Sequence, residues 1–220
     1  LHLEDVEATD DVGAEYTLRR NIHRLEKGLV MRPRRPVFAT AYIGETVNCF
    51  AGLISSRESR SEPLICWSRD VLAKYFAIVS PDPRVDPHRE RFHKVMENES
   101  PCNSQLVPYK RERSALAVDY QGILQLARRR RSVRWYLDKA VPREIIDQAI
   151  EVAKLSPSAC NRQPFSFRVF DDKKLAQRIG AIPGGTAGFA ENFPCLVVIV
   201  GDLRAYFSER DRHVIYVDAG

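Results

Sequence analysis

Four consecutive arginines, Arg128–Arg131, are followed at once by Ser132 and Arg134, and together these side chains could bind a phosphate. A guanidinium group presents planar donors that match two phosphate oxygens, and a serine hydroxyl adds one more donor. An arginine run can instead be a solvated helix end, where positive charge complements the negative end of the helix dipole. A nucleic-acid patch is a third interpretation, but no aromatic residues are interleaved with the arginines to stack on bases. The cluster alone leaves the phosphate site and the helix end open.

A second polar segment lies downstream and reads Ser156-Pro157-Ser158-Ala159-Cys160-Asn161-Arg162-Gln163-Pro164-Phe165. The carboxamides of Asn161 and Gln163 can each donate and accept hydrogen bonds, which suits a heteroaromatic ring or a polyol chain. The same composition is typical of a turn whose Asn and Ser side chains bond their own backbone. Both interpretations stay open for this segment on its own. Cys160 is interpreted as a small packing residue rather than a redox group.

The two segments together, in this order and spacing, resemble the flavin site of the nitroreductase family. The shared features are the basic cluster, a proline that opens the next helix (Pro142), and the serine-proline-serine sequence that leads through Asn161 and Gln163 into an alternating strand. In that family the arginine-serine-arginine segment holds the flavin phosphate and ribityl chain, a role that the resemblance gives to Arg130, Arg131, Ser132 and Arg134. The later segment packs beside the flavin ring, which implies the same of Pro157, Ser158, Asn161 and Gln163.

The resemblance implies an FMN-dependent oxidoreductase that moves two electrons from NADH or NADPH to an electron-poor acceptor such as a nitroaromatic compound or a quinone. Donor and acceptor would bind alternately and exchange hydride at flavin N5, so the flavin carries the chemistry, no catalytic side chain is assigned and ping-pong kinetics are expected. Because family members complete the pocket across a homodimer interface, a homodimer is expected of the full-length protein. The resemblance covers about 119–220, so the sequence is interpreted as a truncated domain that contains its first half.

A function from another class is also open. The chain could be a non-catalytic, truncated flavin-fold protein whose helical N-terminal part and basic surface bind another protein or an anionic polymer. Uptake of FMN by the purified protein separates this interpretation from the enzyme.

The bulk composition limits the remaining classes. With 44% hydrophobic residues over 220 positions the chain can form a packed core. There are 34 basic and 29 acidic residues, so the basic bias is local, and neither nucleic acid nor a membrane is expected as a partner. No run approaches the roughly 20 apolar residues that cross a bilayer, and the acidic start Leu1–Glu7 does not resemble a signal peptide.

The cysteines and histidines predict neither a disulfide framework nor a metal site. The five cysteines are odd in number, scattered and without a C-x-x-C pair: Cys49, Cys66, Cys102, Cys160 and Cys195. His88 and His93 do not have the spacing of a helical zinc site. We therefore expect reduced cysteines and a cytoplasmic protein.

The elements that must position the candidate residues follow from hydrophobic periodicity and local stop signals. They indicate an α+β fold with a nitroreductase-like central sheet flanked by helices and a mainly helical N-terminal region before it. We divide the chain at a predicted loop, Asn98–Pro108, into an N-terminal region of residues 1–118 and an FMN-binding half-domain of residues 119–220. The predicted helices are Glu15–Gly28, one capped by Ser68, Asp86–Glu97, one from Asp119, one from Pro142 and Asp172–Ile179; the predicted strands are Phe165–Val169 and a central strand, Cys195–Val200.

Overall fold

The computed structural model describes residues 11–56, 61–97, 99, 105–110, 112 and 114–220. The chain forms two compact units. The first unit is Leu1–Tyr109, Pro157–Pro164 and Asp202–Gly220, and the second is Lys110–Ser156 and Phe165–Gly201. The acidic segment Leu1–Glu7 and part of the predicted loop Asn98–Pro108 lie outside the described residues.

Four helices provide the core of the first unit: α1 (Asp11–Val30), α2 (Ile43–Ser55), α3 (Glu62–Ile78) and α4 (Asp86–Met96). Leu18, Ile22 and Leu25 recur at helical spacing along α1, and all three are fully buried. They join one cluster with apolar side chains from the other three helices, among them Phe50, Tyr75 and Phe92. A large apolar side chain contributes about 1.5–3 kcal/mol when fully buried, so this cluster is the main source of stability in the unit.

Two predicted boundaries in this region are wrong. Ser68 does not cap a helix: α3 already begins at Glu62, and Ser68 lies inside it, fully buried. The apolar face of α3 starts at Leu64, which is why the helix extends further towards its N-terminus. Likewise α1 does not stop at Gly28 but continues to Val30. A Cβ atom at Gly28 would lie 2.3 Å from the Phe38 ring, so this glycine allows close packing rather than a helix stop.

Two later stretches of chain complete the first unit by packing on α1. They form 3-10 turns at Ala159–Asn161, Leu203–Ala205 and Glu209–Asp211, and a short helix, α8 (Val214–Ala219). Ala205, Tyr206 and Ile215 are buried in a small second cluster with Tyr16 of α1. The Tyr16 hydroxyl donates a 3.2 Å hydrogen bond to the Asp202 carboxylate. Burial, reinforced by this carboxylate, raises the pKa of Tyr16 to about 12.

The second unit contains three helices and two strands: α5 (Tyr120–Arg129), α6 (Arg143–Ala153), β1 (Phe165–Phe170), α7 (Lys173–Gly180) and β2 (Leu196–Gly201). Asp119 caps α5 by accepting a hydrogen bond from the Gly122 amide, and Asp172 caps α7 by accepting one from the Leu175 amide. Pro142 is the N-cap of α6, so this helix begins at Arg143, one residue later than predicted. These start signals are readable in the sequence, and the helices begin close to where they were expected.

The two strands pair antiparallel, from Phe165 opposite Gly201 to Phe170 opposite Leu196. The α+β fold class is therefore confirmed, with helices and a small sheet in the described residues. The prediction that the apolar run of β2 is a central strand does not hold in the described part of the chain, where β2 pairs with β1 alone and Val197 and Ile199 stay about 40% exposed. A continuous apolar run specifies a strand, but its burial depends on what covers its faces.

Cys66 departs from the expectation of reduced cysteines, because it is disulfide-bonded in the structure. Cys49, Cys160 and Cys195 are free. Burial raises the pKa of the Cys49 thiol to about 11, which keeps it protonated at neutral pH. In the described part of the chain, no helix has the length and apolar character needed to cross a bilayer.

Candidate functional site

The predicted site residues fall into two groups, one in each compact unit. Arg130, Arg131, Ser132 and Arg134 belong to the second unit, and Pro157, Ser158, Asn161 and Gln163 belong to the first.

The arginine segment leaves α5 as an exposed, extended chain. Arg130 is the C-cap of α5, and its amide donates to the Leu126 carbonyl at 3.2 Å. The Arg131 guanidinium donates to the carbonyls of Arg128 and, at 2.9 Å, of Arg130. Arg131 therefore satisfies carbonyls that the end of a helix leaves without partners, as in the helix-end interpretation.

A side-chain bridge anchors the far end of this segment. The Asn192 carboxamide donates to the Arg134 carbonyl and accepts from the Tyr136 amide at 2.9 Å. The Arg134 guanidinium donates to the Ser132 carbonyl at 3.2 Å and lies 5.8 Å from the centre of the Phe189 ring. The path of the backbone is thus fixed at both ends while the side chains between remain exposed.

Two donors of the arginine segment have no partner among the described residues. Neither the Arg130 guanidinium nor the Ser132 hydroxyl makes a side-chain hydrogen bond or ion pair there, and both residues are exposed. A guanidinium and a hydroxyl on one short extended segment form a donor set that suits a phosphate. The phosphate interpretation is thus chemically available to Arg130 and Ser132 and weakest for Arg131.

The serine-proline-serine segment folds as a tight turn that bonds its own backbone. The Ser158 hydroxyl accepts from the Gln163 amide at 2.8 Å, and the Ser158 carbonyl accepts from the Asn161 amide at 2.9 Å. The Ala159 amide donates to the Asp218 carboxylate at 3.0 Å, which fastens the turn to α8. These bonds engage Ser158 but leave the exposed Pro157 without a polar role.

Three non-glycine residues of this turn have left-handed backbone conformations: Cys160 at φ 54°, Asn161 at φ 51° and Gln163 at φ 49°. Asn tolerates this region, but a residue such as Gln is strained there by about 1–3 kcal/mol. In the described residues no hydrogen bond involves the carboxamide of Asn161 or of Gln163. Strain in a turn whose amide side chains stay unbonded is compatible with a ligand-facing role for both carboxamides.

The sequence did not predict a cavity of about 500 Å³ in the first unit, which we call the arginine cavity. Four guanidinium groups line it, those of Arg20, Arg24, Arg162 and Arg210; its other lining residues are Ala159, Cys160, Tyr206, Asp211 and Val214. The arginines come from α1, from the turn after Pro157 and from the segment before α8. Because they are far apart in sequence, no local charge run indicated the cavity.

Arg162 is the unusual member of this set. It is only 5% exposed, its Nε atom has no hydrogen-bond partner, and it forms no ion pair with any described residue. Its guanidinium carbon lies 4.9 Å from the centre of the Tyr206 ring. Such a stacking contact contributes about 0.5–2 kcal/mol, whereas burying a charge costs several kcal/mol. The contacts in the first unit thus leave the Arg162 charge under-compensated.

The other cavity arginines are partly paired. Arg20 donates to Glu45 at 3.2 Å, and Arg210 donates to Asp211 at 3.0 Å. The Arg24 guanidinium lies 3.7 Å from the centre of the Tyr42 ring and has no carboxylate partner in the described part of the unit. Arg20 and Arg210 thus have carboxylate partners, whereas Arg24 and Arg162 have none among the described residues.

Comparison with known proteins matches residues 127–187 to the model described as the nitroreductase family. This span contains all eight predicted site residues but less than a third of the chain. The chain is 29% identical over 86 residues to the protein of Methanothermobacter thermautotrophicus named "Putative NADH dehydrogenase/NAD(P)H nitroreductase", a match that covers 39% of this chain and 44% of that protein.

Iodotyrosine deiodinase 1 is a second kind of relative. The pig protein is 37% identical and the human protein 36% identical over 62 residues, which covers 28% of this chain and 22% of each relative. The matched region thus spans less than half the length of these curated relatives. No solved structure matches the chain significantly. The resemblance to the nitroreductase family is confirmed for residues 127–187.

Proposed function

We propose that this chain, whose residues 127–187 match the nitroreductase family, is part of an FMN-dependent oxidoreductase. It would pass two electrons from NADH or NADPH to an electron-poor small molecule such as a nitroaromatic compound or a quinone. At the level of the family, the match supports a flavin oxidoreductase. FMN as the particular flavin, the nicotinamide donor and the acceptor are the proposed refinements.

The donor chemistry of the residues fits the cofactor. Arg130 and Ser132 offer an exposed guanidinium and hydroxyl without partners in the described residues, which suits a phosphate. Asn161 and Gln163 offer two unbonded carboxamides that can each donate and accept, which suits a polyol chain or the edge of a heteroaromatic ring. The observation that carries the proposal is that the side-chain polar groups of Arg130, Ser132, Asn161 and Gln163 make no hydrogen bond within the described residues.

When bound, the flavin supplies two-electron transfer through N5, taking hydride from the nicotinamide and giving it to the acceptor in alternation. The residues of this chain bind and orient. Arg130, Ser132 and Arg134 would bind the phosphate. Their backbone is held by α5 at one end and by the Asn192 side chain at the other, and this would set the direction of the three side chains. Ser158 stabilises the turn that contains Asn161 and Gln163, because its hydroxyl accepts a hydrogen bond from the Gln163 amide.

An FMN titration of the purified protein tests the assignment. Arg130→Ala and Ser132→Ala should each weaken FMN binding by about ten- to a hundredfold, because one charge-assisted contact contributes about 1.5–3 kcal/mol. Arg178→Ala is the matched control, an exposed arginine on α7 of the same unit. Unchanged affinity in both cluster variants would remove the proposal for this segment.

A non-catalytic binding module is the second candidate. The observation that favours it is that Arg131 bonds carbonyls of its own segment, as a solvated helix end would. A purified protein that is colourless and takes up no FMN would support this candidate over the enzyme. A yellow protein with a flavin spectrum would support the enzyme.

A homodimer is part of the proposal. The second unit exposes several large apolar side chains, including Trp135 at 74%, Leu137 at 82% and Leu155 at 83%. Protein interfaces are often built from exposed apolar side chains, and the proposal is that these side chains contribute to one. Light scattering on the purified full-length protein should give twice the mass of its chain; a monomer at micromolar concentration would contradict the homodimer.

The sequence-based expectation of a cytoplasmic location also stays a proposal. The disulfide bond of Cys66 is the feature that bears against it, because disulfides are rare in reducing compartments. Thiol alkylation in intact cells, followed by mass spectrometry, checks it. A fully alkylated Cys66 would agree with a reducing location, and a blocked Cys66 would not.

A further inference from the structure

We propose that the arginine cavity is a second anion site, which binds a small molecule that carries about two negative charges on its oxyanion groups. A phosphate monoester and a dicarboxylate share this chemistry. The site is built from residues of the first unit alone and does not rest on the proposed flavin site.

Arg162 is a buried cation with too few partners. Its side chain is more than nine-tenths buried, lines the cavity and has no hydrogen-bond partner at Nε among the described residues. A guanidinium keeps its charge at any pH that the folded protein experiences, so it cannot relieve its burial by losing a proton. An anion in the cavity would supply the missing acceptor.

The cavity arginines converge on one space from different parts of the chain. Arg20 and Arg24 lie on α1 one helical turn apart, and Arg210 faces the same space from the segment before α8. With Arg162, these residues present planar donor groups from three separate stretches of chain. Guanidinium groups bind phosphate and carboxylate oxygens in pairs, which gives geometric selectivity as well as charge.

The arginines of the cavity are only partly paired with carboxylates. Glu45 and Asp211 neutralise two of the four arginines through the bonds of Arg20 and Arg210. Arg24 and Arg162 have no carboxylate partner among the described residues, and two such guanidinium groups suit a phosphate monoester, which carries about −1.5 to −2 at neutral pH, or a dicarboxylate. The volume of about 500 Å³ has room for a small molecule beyond the anionic group.

Calorimetric titration of the full chain with inorganic phosphate, phenyl phosphate and succinate tests the proposal, with chloride as the monovalent reference. Saturable binding of a phosphate or of succinate is expected, together with a melting temperature that rises with its concentration. Phenyl phosphate against succinate shows which source of the dianion the cavity prefers. Absence of saturable binding for all three would overturn the proposal.

Two variants place the binding in the cavity. Arg162→Met should weaken the anion by about tenfold or more, and Arg210→Gln by a smaller factor because Arg210 is exposed. Arg212→Gln is the matched control, since Arg212 pairs with Glu209 and does not line the cavity. If Arg162→Met does not fold, the exposed Arg210→Gln still decides: equal affinities in Arg210→Gln and Arg212→Gln would contradict the proposal.

The melting temperature without anion separates a ligand site from a structural arginine. If Arg162 serves to bind an anion, Arg162→Met removes an uncompensated buried charge and should raise the melting temperature of the anion-free protein. The same variant should abolish the increase in melting temperature caused by phosphate. A structural arginine would lower the melting temperature when replaced. That result, with an intact phosphate effect, would overturn the site.

FMN titrations distinguish this site from the proposed flavin site. Arg130→Ala should weaken FMN and leave phenyl phosphate unchanged, whereas Arg162→Met should do the reverse. If Arg162→Met abolished FMN binding and Arg130→Ala had no effect, the cavity would hold the flavin phosphate itself. A second anion site would then be wrong, and so would the assignment of the arginine segment.

Discussion

The arginine segment after α5 and the arginine cavity differ in how their residues are spaced along the sequence and in what surrounds them. The cluster after α5 is contiguous in sequence and exposed, and Arg131 bonds the carbonyls of its own segment. The arginines of the arginine cavity are far apart in sequence and are held by packed helices, and one of them, Arg162, is a buried guanidinium whose Nε has no hydrogen-bond partner in the described part of the chain. A run of charges in a sequence therefore indicates high local charge, whereas convergence in the fold determines which charges lack compensation.

The same substitution made in both units tests the comparison most strongly. Tyr206→Phe in the first unit removes a buried hydroxyl that donates to the Asp218 carboxylate, while Tyr136→Phe in the second removes one that donates to the Val133 carbonyl on an exposed segment. We expect Tyr206→Phe to lower the free energy of unfolding by about 1.5–3 kcal/mol and Tyr136→Phe by about 0.5 kcal/mol or less. Urea denaturation measures both losses. Equal losses would show that the hydrogen bond beside the cavity contributes no more to stability than the one on the exposed segment.

A smaller effect with an unusual sign is expected at Gln163. Its backbone is left-handed, at φ 49°, so Gln163→Gly should relieve strain and raise the free energy of unfolding by about 1 kcal/mol. If the carboxamide contacts a flavin, the same variant should weaken FMN or alter the bound flavin spectrum. Thermal denaturation and an FMN titration on one preparation give both readouts. A loss of stability without change in FMN binding would favour the plain turn.

The sequence predicted the elements best where local signals are strong. The alternation of Phe165, Phe167 and Val169 predicted β1 to within a residue, and Asp119 and Asp172 predicted the starts of α5 and α7. Helix α2 was not predicted. Tyr42 precedes it without a capping side-chain bond, so its start carries no local signal.

The candidate sites also differ in how far local sequence signals could predict them. The eight site residues were predicted from the order and spacing of two segments, and all lie within the matched family region. The arginine cavity could not be found from sequence, because Arg24, Arg162 and Arg210 meet only through tertiary packing. A lone arginine inside the turn after Pro157 gave no indication that it would be buried.

A weaker effect is expected from neutralising an exposed arginine. Arg131→Met removes donors to two carbonyls at the end of α5, both on the surface. We expect a loss of about 0.5 kcal/mol in unfolding free energy, since contacts of this kind at helix ends contribute about 0.3–1 kcal/mol. The contrast in sign with Arg162→Met, where stability should rise, is the point to measure. A rise in both variants would mean that simple relief of positive charge explains the two results.

The smallest expected effect is a pH dependence through His23 on α1. Burial lowers the pKa of His23 below its ordinary 6.5, and the charges of Lys27 and Arg162 lower it further. The Glu26 carboxylate lies 3.8 Å from His23 Nδ1, and burial raises the pKa of that carboxyl. Because the unfolded chain takes up the proton first, stability should fall as the pH drops from about 7 through 6.5 towards the folded pKa.

Unfolding free energies at pH 7.5 and pH 6, compared between the wild type and His23→Gln, isolate this contribution from the other histidines. The wild type should lose more stability between the two pH values than His23→Gln does. Lys27→Gln and Arg162→Met should each reduce the excess loss, with Lys27→Gln having the larger effect because the Lys27 charge lowers the pKa more. An excess loss that Arg162→Met leaves unchanged would mean that the Arg162 charge does not reach His23 in solution. The under-compensated charge on which the cavity argument depends would then have to be already screened.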